Sequence, residues 1–224
     1  MVLVCSCVES EEEAGSTMAM ASKLRAFLEQ PLYGKLLRLS NALTRFKTAV
    51  FYRWIFGSMG GQCSIAKPLL LNNPQYIYLG DRVSIRRGAR LEAIRPFSHR
   101  IPELRIGNDV NIEQNVHIIC QSRITIGKNV TITGNCAIVD ATHPFFTIKD
   151  GEKIGAGVMD EDSYVIIGDG VFIGFGSVIL PNVRIGRYAV IGALSVVDKD
   201  VPEFGIVRGN PARLVNIYRI DNSC

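Results

Sequence analysis

Aliphatic residues recur at every sixth position over much of the chain. The longest series is Ile167, Ile173, Ile179, Ile185, Ile191 and Val197. The same spacing occurs earlier at Leu79, Ile85 and Leu91, then at Ile106, Ile112, Ile118 and Ile124, and it resumes after a step of two residues at Ile126, Ile132 and Ile138. This period fits neither an amphipathic helix nor an alternating strand. It indicates a structural repeat whose units bury their apolar faces only by stacking on one another.

A second inward position is predicted four residues after each of these aliphatic residues. Small or aliphatic side chains occupy it: Val110, Val116, Val130, Val171, Ser177, Val183, Ala189 and Ser195. Glycine, Asn and Asp lie between the units, where the chain must turn and where left-handed backbone angles are tolerated. The pattern therefore predicts an all-β repeat of very short parallel strands.

The repeat resembles the hexapeptide-repeat family, whose fold is a left-handed parallel β-helix with three units per triangular turn. The resemblance, not the general preference for right-handed crossovers, gives the handedness. It implies about five turns, near residues 79–96, 106–123, 126–143 and, for two turns, 167–202. The predicted organisation is a disordered tail (1–19), a helical segment (20–60), the β-helix (61–203) with a protruding loop (144–164), and a closing segment (204–224).

Composition adds limits to this picture. The chain has 224 residues, a net charge of +4 and six cysteines. Cys120 and Cys136 fall inside the repeat, where a cysteine behaves as a small apolar residue, so we expect a reducing compartment. The first sixteen residues are too acidic for an export signal, and no apolar stretch is long enough to span a bilayer. These features predict a soluble cytoplasmic protein.

The predicted N-terminal helix carries an apolar stripe and an excess of positive charge. Residues 17–58 contain seven basic residues and one acidic residue, Glu29. Residues 44–54 combine aromatic and basic side chains. An apolar stripe usually packs against the rest of the fold or a neighbouring subunit. The alternative is contact with an anionic membrane surface, which would place the protein at the inner face of the membrane.

The segment Thr131–Pro144 sharpens the resemblance, because its His143-Pro144 pair ends a repeat turn. Hexapeptide acetyltransferases of the galactoside, maltose and nodulation-factor type carry a histidine followed by proline there, and the chain looks most like bacterial sugar O-acetyltransferases of polysaccharide biosynthesis. The resemblance implies acetyl-CoA as donor, a sugar hydroxyl as acceptor, and a homotrimer. His143 would be the general base, since imidazole accepts a proton near neutral pH. Asp140 would hold its tautomer.

The resemblance also assigns donor and acceptor residues. The segment at 196–215 resembles the C-terminal motif of the family. This resemblance implies that Lys199, Arg208 and Arg213 bind the phosphates of coenzyme A, for which Arg offers paired hydrogen bonds. The family match places the pantetheine arm against the backbone of Gly174, Phe175 and Ala193. Glu113 stands where galactoside-type enzymes carry an acceptor-contacting Asn, and Asn115 matches a second Asn; both are candidate acceptor contacts. No metal is required by this chemistry.

Two other functions remain open from the sequence. An N-acetyltransferase acting on an amino sugar nucleotide would use the same fold and a similar base. A non-catalytic β-helix scaffold would need only the repeat. His143-Pro144 and the C-terminal motif at 196–215 argue against a scaffold function. The loop at 144–164 is the predicted acceptor-selecting element, reaching over a neighbouring subunit's site with acids at Asp160, Glu161 and Asp162.

Overall fold

The computed structural model describes residues 31–94, 101–143, 150, 151, 153, 155, 157–159 and 161–219. The predicted tail at 1–19, the start of the predicted helical segment, and part of the loop at 144–164, including residues 144–149 and Asp160, lie outside these residues. The chain divides into two compact units, residues 1–43 and 44–224. Helix α1 (Leu32–Val50) begins in the first unit and ends in the second.

The second unit opens with the end of α1 and a short 3₁₀ helix at Tyr52–Trp54. Thr48 fixes this segment, because its side chain is fully buried and its hydroxyl donates to the carbonyl of Thr44 at 2.8 Å. The same hydroxyl accepts from the backbone N–H of Ile65 at 2.9 Å. Phe56 is buried just after the 3₁₀ helix. The segment thus covers the first end of the strand stack.

Three sheets form the faces of a prism. Face A contains β1 (Ser58–Met59), β4 (Ile77–Leu79), β7 (Glu103–Ile106), β10 (Arg123–Ile126), β13 (Tyr164–Ile167) and β16 (Val183–Ile185). Face B contains β2 (Ser64–Ile65), β5 (Ser84–Ile85), β8 (Asn111–Ile112), β11 (Thr131–Ile132), β14 (Phe172–Ile173), β17 (Val190–Ile191), β19 (Gly205–Arg208) and β20 (Arg213–Ile217). Face C contains β3 (Leu70–Asn72), β6 (Arg90–Ala93), β9 (His117–Cys120), β12 (Ala137–Val139), β15 (Val178–Ile179) and β18 (Val196–Val197).

Every third strand stacks on its equivalent in the next coil, which confirms the predicted parallel β-helix. All pairings are parallel except β19 with β20. The aliphatic series fills the core: Ile112, Ile132 and Ile173 are paired in register and are fully buried. Each coil can therefore bury its inward residues only against its neighbours, as the repeat predicted.

The described strands form six complete coils, one more than the predicted five. The extra coil comprises β1, β2 and β3, and its inward residues Met59, Ile65 and Leu71 are also spaced by six. The expected first turn began at Leu79 because the step from Leu71 to Leu79 is eight residues and interrupts the series. A 3₁₀ helix at Pro74–Tyr76 accounts for this interruption.

The edges of the prism differ in regularity. We name them A–B, B–C and C–A after the faces that they join. On face A, Ile167 pairs with Ile185, eighteen residues on, whereas Ile106 pairs with Ile126, twenty residues on. The two extra residues are Gln121 and Ser122, at the C–A edge. The 3₁₀ helix at 74–76 lies at this edge too, and the segments between β6 and β7 and between β12 and β13 connect face C to face A.

The A–B edge, by contrast, repeats one turn. In three of the coils a side-chain oxygen accepts from a backbone N–H of the coil before it: Asp81 from Gly61 at 2.7 Å, Asn108 from Asp81 at 2.9 Å, and Asp169 from Lys128 at 2.9 Å. Glycines precede these turns because the coils approach closely. A Cβ on Gly127 would lie 2.5 Å from Oδ1 of Asp169.

Candidate active site

Asp140 closes the C–A edge of the fourth coil from inside. Its side chain is 1% exposed, and its carboxylate accepts from the backbone N–H groups of Gln121 at 2.5 Å, Ser122 at 2.9 Å and Arg123 at 2.7 Å. Burial raises the pKa of Asp140, while these N–H groups act in the opposite direction. The carboxylate therefore joins the fourth coil to the third.

These contacts change the role expected for Asp140. We predicted that its carboxylate would hold the imidazole of His143, but Nδ1 of His143 lies 2.7 Å from the carbonyl oxygen of Gly157. The physical reason is that Asp140 points into the buried corner, whereas His143 is exposed. A carbonyl oxygen can only accept, so Nδ1 carries the proton and Nε2 keeps its lone pair toward solvent.

The returning end of the segment between β12 and β13 is tied down at several points. The backbone N–H of Met159 donates to the carbonyl of Thr142 at 2.7 Å, and the side-chain amide of Gln121 donates to the carbonyl of Met159. Two hydroxyls hold the last residues: Ser163 donates to the carbonyl of Asp140 at 2.5 Å, and Ser122 donates to Asp162 at 2.9 Å. We call residues 157–159 and 161–163 the return strap. It places the Gly157 carbonyl against His143.

Sequence reasoning missed Gln121. Its side chain is 2% exposed, and its Oε1 has no hydrogen-bond partner among the residues that the structure describes. A cavity of about 20 Å³ between Gln121, Asp140 and the return strap lies beside it. The available signal was the two-residue step in the aliphatic series, because the extra residues of that step are Gln121 and Ser122.

The predicted acceptor residues lie on a different edge from His143. Glu113 and Asn115 are at the B–C edge of the third coil, between β8 and β9. The Glu113 carboxylate lies 3.8 Å from the guanidinium of Arg86. Asn115 has a left-handed φ of 56°, and a Cβ on Gly88 would meet its Oδ1 at 2.2 Å, so the turn itself favours this residue.

The predicted pantetheine residues share this B–C edge. Phe175 and Ala193 are exposed there, in the fifth and sixth coils. Gly174 differs from the expectation, because its N–H donates to the carbonyl of Ile191 at 2.8 Å and a Cβ would lie 2.5 Å from the nitrogen of Ala193. Close stacking of the next coil explains this glycine, and its N–H is already used within the fold.

The three predicted donor cations are exposed near the last coil. Lys199 and Arg213 line a depression of about 150 Å³, and Arg213 lies 3.5 Å from Asp198. Arg208 ends β19 and stands next to Gly192 at the B–C edge. Lys199 lies on the C–A edge two coils beyond His143, which corresponds to about 10 Å along the stack. The cations thus occupy both edges.

Other chemistries find less support among the described residues. Within them, no group of three or more His, Cys, Asp or Glu side chains could hold a metal ion. Cys120 and Cys136 are buried, and burial raises the pKa of both thiols. A buried, protonated thiol is a poor nucleophile. His143 therefore remains the exposed group best suited to proton transfer.

Comparison with known proteins agrees with this architecture. Residues 164–199 match the family described as bacterial transferase hexapeptide (six repeats). The chain is 30% identical over 176 residues to WbbJ of Escherichia coli K12, named as a lipopolysaccharide biosynthesis O-acetyl transferase, covering 76% of this chain and 83% of WbbJ. It is 34% identical to the galactoside O-acetyltransferase of Lactococcus lactis, over 48% of this chain and 50% of that protein.

Solved structures share the fold. AntD, an N-acyltransferase from Bacillus cereus in complex with dTDP and 3-hydroxybutyryl-CoA, superposes with a TM-score of 0.61 at 20% identity, covering 79% of this chain and 90% of AntD. The hexapeptide-repeat acetyltransferase VCA0836 of Vibrio cholerae, complexed with acetyl coenzyme A, gives a TM-score of 0.51 at 24% identity, covering 83% of this chain and 88% of that one.

The coils and the named relatives thus define an acyltransferase of the left-handed β-helix class. The similarity to WbbJ extends over most of both proteins, beyond the repeat alone. The chain belongs to the hexapeptide-repeat transferase family.

Proposed function

We propose that this protein is an acetyl-CoA-dependent O-acetyltransferase that acts on a hydroxyl of a sugar or polysaccharide precursor, with His143 as general base. The observation that carries the proposal is the 2.7 Å contact between Nδ1 of His143 and the Gly157 carbonyl. It leaves Nε2 as an exposed proton acceptor beside an excursion of the chain. The O-acetyltransferase names of WbbJ and of the galactoside enzyme support the choice of reaction.

The proposed reaction is direct transfer. Nε2 of His143 removes the acceptor hydroxyl proton as the oxygen attacks the thioester carbonyl. The tetrahedral intermediate collapses and expels the coenzyme A thiolate, which takes a proton from the imidazolium. The Gly157 carbonyl holds the imidazole in the required tautomer and stabilises the imidazolium that forms. Lys199, Arg208 and Arg213 would bind donor phosphates.

We further propose that the working form is a homotrimer. His143 lies on the C–A edge, whereas Glu113, Asn115, Phe175 and Ala193 lie on the B–C edge. A single copy of the β-helix therefore does not bring the candidate base close to the candidate acceptor-binding and pantetheine-binding residues. A three-fold assembly that sets the C–A edge of one copy against the B–C edge of the next completes three equivalent sites.

N-acetylation of an amino sugar nucleotide is the second candidate. The observation that favours it is Glu113, a partly exposed carboxylate where galactoside-type enzymes have an amide. A carboxylate can bind the ammonium form of an amino sugar, which a neutral amide does less well. The AntD complexes are N-acyltransferase structures with the same fold, but their low identity supports only the fold.

The decisive experiment measures thiol release from acetyl-CoA for the wild type, His143→Ala and His117→Ala, with sugars, amino sugar nucleotides and lipid-linked oligosaccharides. His117 is the matched control: it is a partly buried histidine at the start of β9, at the end of that strand away from the C–A edge. Loss of the base should lower kcat by about 10²- to 10⁴-fold on a hydroxyl acceptor, with little change for His117→Ala. Equal turnover of wild type and His143→Ala would contradict the assignment of the base. Turnover confined to amines would favour N-acetylation.

The shared site has its own test. Ala193→Trp should block the B–C edge, and His143→Ala should disable the C–A edge, so each variant alone is inactive. Coexpression should restore activity, because some interfaces then pair an intact C–A edge with an open B–C edge. Mixed assemblies that form without any recovery would contradict a site built from two copies.

A further inference from the structure

The first end of the β-helix presents exposed aromatic side chains. Phe46, Phe51 and Trp54 are 66%, 63% and 84% exposed. They belong to the same segment whose Thr48 and Phe56 are buried. The apolar stripe that we expected to pack against the fold is thus exposed at Phe46, Val50 and Phe51, and the buried position is Thr48, which lies outside that stripe.

Helical geometry separates these two sides. With about 100° between successive residues, Phe46 and Val50 lie within one stripe of α1, and Thr48 lies roughly opposite it. Thr48 is held by the N–H of Ile65 in β2. Its anchoring therefore turns the apolar stripe away from the coils.

The charge of this end is of one sign. Residues 31–80 contain six basic residues and no Asp or Glu: Lys35, Arg38, Arg45, Lys47, Arg53 and Lys67. Arg45, Lys47 and Arg53 are exposed. In the later coils basic residues have acidic partners, as in Arg82 with Asp109 at 2.6 Å and Arg187 with Glu203 at 2.8 Å. Arg45, Lys47 and Arg53 therefore add positive charge to the same segment that carries the exposed aromatic side chains.

We propose that Phe46, Lys47, Val50, Phe51, Arg53 and Trp54 form a docking surface for an anionic lipid bilayer. Aromatic and aliphatic side chains would enter the interface, and the cations would bind acidic headgroups. Among the described residues no helix is long and apolar enough to cross a membrane, so the segment would lie on the surface. A second copy fits poorly, since a symmetric contact would set cations against cations.

Trp54 is the only tryptophan in the chain and reports on this surface directly. The full-length protein is titrated with vesicles of phosphatidylcholine alone and of phosphatidylcholine with phosphatidylglycerol, while Trp emission and co-sedimentation are followed. Anionic vesicles should shift the emission to the blue and bind the protein, and raised salt should weaken this binding. Brominated lipids should quench the emission. The measurement does not depend on acetyl transfer and can succeed or fail independently of it.

Variants test each component. Lys47→Gln with Arg53→Gln should weaken partitioning by about fivefold for each cation. The matched control, Lys128→Gln with Arg187→Gln, removes the same charge from later coils and should leave binding unchanged. Phe51→Ser should weaken binding, whereas Ile101→Ala, at another exposed apolar residue, should not. Circular dichroism checks folding.

Three results would overturn the proposal. The first is equal affinity for neutral and anionic vesicles. The second is absence of binding to both. The third is a Trp emission that shifts with protein concentration in the absence of lipid and responds to Phe51→Ser, which would assign the surface to a second copy.

Discussion

The A–B edge and the C–A edge are both stabilised by side-chain oxygens that accept backbone N–H groups, but the two edges differ in burial and in the number of N–H groups accepted. In both, an Asp or Asn oxygen from one coil accepts backbone N–H groups of the preceding coil. At the A–B edge Asn108 is exposed, its equivalents Asp81 and Asp169 are partly exposed, and each accepts one N–H. Asp140 is buried and accepts three. At the C–A edge the residue that stabilises the turn therefore also anchors the return strap, and the strap supplies the Gly157 carbonyl that contacts His143.

Removal of the Asp140 side chain should lower the free energy of unfolding much more than removal of the Asn108 side chain. Asp140→Ala leaves three backbone N–H groups without their acceptor in a buried corner, and should lower the free energy of unfolding by about 3 to 5 kcal/mol. Asn108→Ala exposes one N–H to water and should cost about 0.5 to 1 kcal/mol. Urea denaturation of both variants checks this difference, and equal losses would contradict it.

The pH dependence adds a control for Asp140. Burial raises the pKa of Asp140 in the folded state, so the folded protein holds this proton more tightly than the unfolded chain. Between the unfolded pKa near 4 and the higher folded pKa, the stability that Asp140 provides falls as the pH rises. The stability difference between the wild type and Asp140→Asn should therefore shrink from about pH 4 toward neutrality. A difference that grows with pH would show that the N–H groups dominate.

Glycines at the two edges should respond differently to a methyl group. A Cβ on Gly127 at the A–B edge would come within 2.8 Å of the nitrogen of Asp169, so Gly127→Ala should cost about 1 to 3 kcal/mol. A Cβ on Gly157 in the return strap would meet nothing within 4 Å, and its φ is not left-handed. Gly157→Ala should stay within about 0.5 kcal/mol of the wild type and keep its activity, since the carbonyl remains. Thermal melts and thiol release measure both.

Gln121 tests whether the return strap positions His143. Gln121→Leu removes the amide that holds Met159 and should lower kcat about tenfold while the melting temperature changes little, because the strap would no longer fix the Gly157 carbonyl. The donor KM should be unchanged. Ser122→Ala removes an exposed contact to Asp162 and should have the smallest effect, about twofold or less. A Gln121→Leu enzyme with wild-type kcat would limit the strap to a structural role.

The fold could be predicted from the sequence because one period is repeated along the chain. Ile112, Ile132 and Ile173 each take the same place in successive coils, so the core follows from spacing. The first coil was not predicted, because the step from Leu71 to Leu79 is longer than the six-residue period. The His143 contact could not be predicted, since it joins residues fourteen positions apart and depends on the bonds that Gln121, Thr142 and Ser163 make at the returning end of the segment between β12 and β13. Periodicity carries no information about those bonds.

The last coil closes each of the three faces in a different way. On face A, Val201 bridges to Ile185; on face B, β20 runs antiparallel to β19. On face C, Val196 donates to the carbonyl of Gly209 and accepts from the N–H of Ala212. Open strand edges invite pairing with other chains. These closures occupy backbone groups on which a further parallel coil could stack, so they disfavour end-to-end addition of another molecule at this end of the repeat.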